Sequence, residues 1–140
     1  MFTDRYTFGT RLSVPFDDVR EGVEAALRAE GFGVLTEIDV AATLRAKLGV
    51  TRDPYLILGA CNPPLAHRAL EAAPFVGALL PCNVVIRDAG GTVVVEAMDP
   101  QAALGLVDNA EVAEVASDAR ARLLRAIEVI EQAYPAEIPA

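Results

Sequence analysis

Between Tyr6 and Leu12 the side chains alternate, with Tyr6, Phe8, Thr10 and Leu12 on one side and Thr7, Gly9 and Arg11 on the other. A period of two predicts a strand with one face on a core. The period then lengthens. Pro15 supplies a first-turn residue, and Phe16, Val19, Val23 and Leu27 recur at helical spacing until Gly31 stops the run. Asp17 and Asp18 fall in the first turn of that predicted helix, where negative charge suits the helix dipole. A second strand is predicted from Gly33 to Ile38. Asp39 then caps a short helix from Val40 to Leu48, which Gly49 ends.

Tyr55 to Ala60 carries no polar side chain except the Tyr55 hydroxyl, and it reads as a buried central strand. Cys61 follows. Asn62 is then placed to cap a helix with Pro63 and Pro64 in its first turn and Leu65, Ala66, Ala69 and Leu70 on its apolar face. Asn83–Arg87 and Thr92–Met98 read as two strands joined through Asp88-Ala89-Gly90-Gly91, a hairpin signal. Asp99-Pro100 begins a short helical turn, and Asp108 with Glu111 three residues on predicts a capping-box start for the last helix. That helix carries Val112, Val115, Ala116, Ala119, Leu123, Ile127, Ile130 and Tyr134 on one stripe and runs to Pro135. At about 25 residues it would be nearly 40 Å long.

The order is strand, helix, strand, helix, strand, helix, hairpin, long helix. A doubly wound parallel sheet needs regular alternation to the end, and the hairpin breaks it. The pattern predicts a single α+β domain over residues 1–140, with one mixed or antiparallel sheet covered on one face by helices, chiefly the C-terminal one. The other sheet face is then solvated or covered by a partner. No period of about 20 to 50 residues marks a repeat array.

Composition narrows the function classes. Of 140 residues, 53% are hydrophobic and 23% charged, which excludes a disordered chain and suits one core. The formal net charge of −8 repels phosphate backbones, so nucleic-acid binding is not expected. No stretch reads as a membrane span, and Met1-Phe2-Thr3-Asp4-Arg5 has no basic region followed by an apolar run. The expectation is a cytoplasmic protein.

Most chemical motifs are missing. Gly31-Phe32-Gly33 lacks the third glycine of a dinucleotide fingerprint and precedes a strand rather than a helix. Ser13 and Ser117 are the only serines and His67 the only histidine, and Ser117 sits mid-helix with no turn to present it as a nucleophile. Lys47, the one lysine, falls on a helix face that reads as solvated. His67 lies opposite the apolar stripe of its helix, four residues before Glu71, which predicts a surface His-Glu pair. One histidine and two cysteines fall short of a four-ligand zinc site. Glu37 and Asp39 share a strand face and Glu96 lies on the final strand. On an open face they could act as acid and base or hold a cation, although a solvated sheet face is the favoured explanation. No metal or cofactor is expected.

Two features remain. Ala72 to Ile86 is 15 consecutive residues without a charge, broken by Pro74, Gly77 and Pro81. Read as an apolar loop, it must bury itself against its own sheet, a second subunit or a ligand. The cysteines sit in related contexts, Gly59-Ala60-Cys61-Asn62-Pro63-Pro64 and Leu79-Leu80-Pro81-Cys82-Asn83. Cys61 lies where strand gives way to helix, beside free backbone donors, a placement that lowers a thiol's pKa. The plainer reading is two buried thiols in a reducing compartment, with no disulfide. The equivalent Asn after each cysteine predicts that Cys61 and Cys82 line one spot.

Gly31-Phe32-Gly33-Val34-Leu35-Thr36-Glu37-Ile38-Asp39-Val40, Tyr55-Leu56-Ile57-Leu58-Gly59-Ala60-Cys61-Asn62-Pro63, Leu79-Leu80-Pro81-Cys82-Asn83-Val84-Val85 and Met98-Asp99-Pro100 together resemble the domain-of-unknown-function family 302. The resemblance covers about residues 3–133, and Cys61, Asn62, Pro63, Pro81, Cys82 and Asp99 match its motif positions. It implies a compact α+β fold similar in outline to the TATA-binding-protein layout, a dimer, and small bacterial and archaeal relatives sometimes associated with thioredoxin-like or sulfur-handling partners. It implies no reaction. Two functions stay open: a homodimeric binding or interaction module with a ligand near Cys61, Asn62, Pro63, Cys82 and Asn83, or a thiol-dependent redox or sulfur-transfer accessory using Cys61.

Overall fold

The structure, a computed structural model, describes residues 1–134. Its strands are β1 (Phe2–Thr3), β2 (Thr7–Leu12), β3 (Gly33–Asp39), β4 (Tyr55–Cys61), β5 (Cys82–Asp88) and β6 (Val93–Met98). The helices are α1 (Arg20–Ala29), α2 (Val40–Leu48), α3 (Pro63–Ala72), α4 (Pro100–Leu104) and α5 (Ala110–Ala133). All six strands form one sheet in the order β1-β2-β6-β5-β4-β3. Every pairing is antiparallel, which resolves the choice between a mixed and an antiparallel sheet. The α+β architecture is the one the alternating and helical periods predict.

Register explains where the core sits. Phe8, Ala97, Val84 and Leu58 stand in one row across β2, β6, β5 and β4, and all four are buried. The next row is Thr10, Val95, Ile86 and Leu56. Thr10 is buried too, and its hydroxyl donates to the Glu131 carboxylate at 2.7 Å, which relieves the cost of a polar group at that depth. Against these rows α5 lays Val112, Val115, Ala116, Ala119, Leu123, Ala126, Ile127 and Ile130, and it also packs on α1, α3 and α4. Fully burying each large aliphatic side chain contributes about 2 kcal/mol. The alternate row of the other sheet face holds Ile38, Ile57, Val85 and Glu96, and Ile38 there is 49% exposed.

Several local expectations change. The β4 strand is second from the sheet edge rather than central, and only Leu58, Gly59 and Ala60 of it are buried. An all-apolar run says that both strand faces avoid water, not how many strands flank it. The helix predicted from Pro15 begins as a 3-10 turn, Phe16–Asp18, and becomes α-helical only at Arg20. The cap of α5 is Asn109, which accepts from the Val112 N–H at 3.1 Å, so Asp108 is one residue early. Glu111 serves no capping box and instead pairs with Arg68 of α3 at 2.8 Å. The predicted stop at Pro135 lies outside the described residues, and α5 ends at Ala133.

The uncharged Ala72–Ile86 segment is not a loop. Ala72 closes α3, Pro74–Leu79 is a 3-10 helix, and Cys82 onward is β5. Ala73, Val76, Cys82, Val84 and Ile86 of this stretch are buried in the chain's own core, while Phe75 is 73% exposed. Most of the apolar character is thus spent on the protein's own interior.

Candidate functional site

Two helix termini, a strand end and the middle of α5 converge around Asn62. Asn62 is 7% exposed and caps α3 by accepting from the Leu65 N–H at 3.4 Å, as the sequence predicts. Its amide nitrogen donates to the Glu30 carbonyl at 3.3 Å, just beyond the end of α1. The same carbonyl accepts from Arg122 of α5 at 3.4 Å, and the Glu30 carboxylate pairs with Arg125 at 2.9 Å. Gly31 follows with φ +86°, and a side chain there would meet the Asn62 amide nitrogen at 2.9 Å. Glycine therefore meets two needs at this point, a left-handed backbone and the close approach of a buried amide.

Beside this junction lies a cavity of about 30 Å³, lined by Phe32, Ala60, Cys61, Asn62 and Cys82, by the Leu80-Pro81 segment, and by an apolar wall from α3, α4 and α5. Cys82 stands opposite Ala60 in the β4–β5 register, one residue from Cys61, and both cysteines line this cavity. That juxtaposition is what the paired Cys-Asn motifs predict. Leu80-Pro81 approaches closely because Gly59 has no side chain; a Cβ there would meet the Pro81 Cγ at 2.9 Å. Leu65, Ala69, Val115 and Ala119 of the wall already appear in the sequence as helical stripes. Phe32 and Leu104 carried no signal that separated them from core packing.

The electrostatics run against a reactive thiol. Burial pushes the Cys61 thiol up from its ordinary value. Burial, with a smaller contribution from Cys61, pushes Cys82 up to about 11. The expected lowering of Cys61 at a helix start does not occur. Cys61 precedes the cap, and the cap itself satisfies the Leu65 N–H, so desolvation outweighs the dipole. Both cysteines are free thiols.

The other candidates fall away from this place. Pro63 is exposed at the first turn of α3 and does not line the cavity. Asn83 is exposed and follows Cys82 on a strand, so it turns to the opposite sheet face and borders a shallow hollow with Tyr6, Tyr55, Glu96 and Met98. Glu37 and Asp39 share the face of Leu58 and Leu56, where Glu37 pairs with Arg20 and Asp39 caps α2 through the Ala42 N–H at 2.8 Å. Glu96 stands on the other face beside Val85, paired with Arg87 at 2.8 Å. These carboxylates form no acid–base pair. His67 is exposed, and among the described residues no ion pair joins it to Glu71. Lys47, Ser13 and Ser117 are exposed, and no group of three or more potential metal ligands exists among the described residues. No described helix is long and apolar enough to cross a membrane.

A six-stranded antiparallel sheet under a long C-terminal helix, with a two-thiol cavity at its edge, defines a class of small α+β proteins. Residues 8–130 match the family described as Domain of unknown function DUF302, and the chain belongs to that family. It is also similar to a crystal structure of an uncharacterized conserved DUF302 protein from Bacillus stearothermophilus. The two share 30% sequence identity with a TM-score of 0.83, over 90% of this chain and 98% of that one. No curated protein matches this chain.

Proposed function

We propose that this protein is a small homodimeric binding or interaction module whose ligand is taken at the cavity beside the Cys61–Asn62 junction. The observation that carries the reading is the cavity itself, an apolar space lined by both cysteines, with Asn62 joining α1 and α3 beside it. The thiol-enzyme alternative has less support. Burial keeps both thiols protonated, and no His, Lys or carboxylate lines the cavity to take a proton from them.

Support for a second copy comes from the sheet. Ile38, Ile57, Val85 and Met98 leave part of its uncapped face apolar and half-exposed or exposed. Strands about 4.8 Å apart offer a corrugated face roughly 25 Å by 20 Å. That is about 500 Å² of flat area, more than half of the about 800 Å² per partner of an ordinary interface.

Light scattering at micromolar concentration tests the dimer, with twice 14.8 kDa expected and a clean 14.8 kDa species ending the claim. Amide NMR spectra recorded with a protein-free cell extract test the site. Shifts gathered at Cys61, Asn62, Leu65 and Cys82 are expected. Shifts confined to other regions, or none at the cavity, would overturn the reading.

A further inference from the structure

We infer that the patch where α3, the Pro74–Leu79 3-10 helix and the end of α4 adjoin docks a short amphipathic helix of a partner protein, apolar on one face and basic along its flank. The patch lies outside the cavity lining, and the inference goes beyond the ligand and the dimer proposed above.

Exposure decides first. Leu106 and Phe75 are the most exposed large apolar side chains among the described residues, at 78% and 73%. Both are held by ordered backbone. Phe75 stands on the 3-10 helix beside fully buried Val76, and the Leu106 N–H donates to the Ala103 carbonyl at 3.3 Å, a turn that continues α4. The 3-10 helix contacts both α3 and α4, so these side chains rise from adjoining elements. Leu70, in the last turn of α3, is exposed as well. A Cβ on Gly77 would meet nothing nearer than the Leu70 Cδ2, at 3.9 Å, which leaves room beside that leucine. Apolar side chains gathered on rigid, solvated elements mark an interaction surface.

Charge decides the partner. Glu71 adjoins Leu70, and Asp108 comes two residues after Leu106. Both are exposed, and among the described residues neither joins an ion pair. An apolar patch edged by free carboxylates suits apolar side chains flanked by Lys or Arg, the arrangement of a basic amphipathic helix. A second copy does not fit. It brings another net charge of −8 to the same carboxylates. Three side chains, with an aromatic covering about 150–250 Å², also fall short of the about 800 Å² per partner of an ordinary interface. A lipid surface fits no better, because anionic headgroups repel the carboxylates.

The test is fluorescence anisotropy of the full chain with a labelled designed helix of about 14 residues, leucines on one face and lysines on the other, at about 0.15 M salt. Saturable binding is expected, with amide shifts in the protein gathered at Leu70, Phe75 and Leu106. Affinity should fall more than about 10-fold in Phe75→Ser and in Leu106→Ser. Both side chains are exposed, so these variants should keep the circular dichroism and melting of the unmodified protein. Glu71→Gln combined with Asp108→Asn should weaken binding about 5-fold and flatten its salt dependence. A peptide of the same composition with its leucines spread round the helix should bind far more weakly. No binding, equal binding of the two peptides, shifts gathered elsewhere or full affinity in Phe75→Ser would each overturn the site. A Phe75→Ser protein that scatters as half the mass of the unmodified one would make the occupant a second copy, and preference for anionic vesicles would make it a membrane. Either result removes the partner helix. If the peptide fails while the dimer mass and the extract-induced shifts at the cavity persist, this inference falls and the binding module stands.

Discussion

Cys61-Asn62 and Cys82-Asn83 are the same dipeptide at two junctions, and the fold uses them differently. In the first, the chain leaves β4 for α3, so Asn62 turns inward, is buried and ties three elements together. In the second, the chain enters β5 and keeps the strand's period of two, so Cys82 is buried and Asn83 is thrown to the far sheet face. One asparagine is a structural clamp and the other a surface residue. A repeated motif marks a repeated place in space only where the backbone after it is also repeated.

Thiol reactivity sharpens the contrast most. Raising a thiol from 9.0 to about 11 cuts its thiolate population about 100-fold, before any steric shielding. Iodoacetamide is therefore expected to label half-exposed Cys61 slowly in the folded protein and Cys82 only on unfolding, as mapped by peptide mass spectrometry. Equal labelling of the two would break the comparison.

Alkaline stability is the next largest effect. Between pH 9.0 and about 11 the unfolded Cys82 thiol ionises while the folded one keeps its proton. The stabilisation is complete below the unfolded value and is lost as pH rises through that window, by about 2–3 kcal/mol. Urea midpoints measured across this range should fall in the unmodified protein and fall less in Cys82→Val. An equal fall in both would remove Cys82 as the cause.

The asparagines come third. Asn62→Ala removes the α3 cap and the bond to the Glu30 carbonyl and should cost about 1–2 kcal/mol by chemical denaturation. Gly31→Ala, which forces a Cβ toward the same amide from a left-handed backbone, should cost a similar amount. Asn83→Ala is the smallest change, within about 0.5 kcal/mol. A large loss at Asn83 would mean that the two junctions are alike after all.

Much of the architecture was legible because it follows from short-range physics. Period two in Thr7–Leu12, the Asp39 and Asn62 caps, the Asp88–Gly91 turn and the α5 stripe each depend on a few neighbouring residues, and each stands where the sequence places it. The Asn109 cap was missed because Asp108 and Asn109 are both good caps, and which one ends extended depends on how the chain leaves α4. The site was legible only in part. That Cys61 and Cys82 border one cavity could be read from their matching contexts, whereas strand alternation after Cys82 carries Asn83 to the other sheet face.

By itself the sequence determined the strands and main helices, the Asp39 and Asn62 caps, the net negative charge and the two thiols, since propensity, periodicity and charge are properties of neighbouring residues. The tertiary structure alone decided the strand order that brings β5 against β4, the convergence of α1, α3 and α5 on the Glu30 carbonyl, and the burial that raises both thiols. Desolvation is the physical reason for that division. It depends on everything that surrounds a group in space, and Phe32, Leu65 and Val115 line the same cavity as Cys61 from positions that no local pattern links to it.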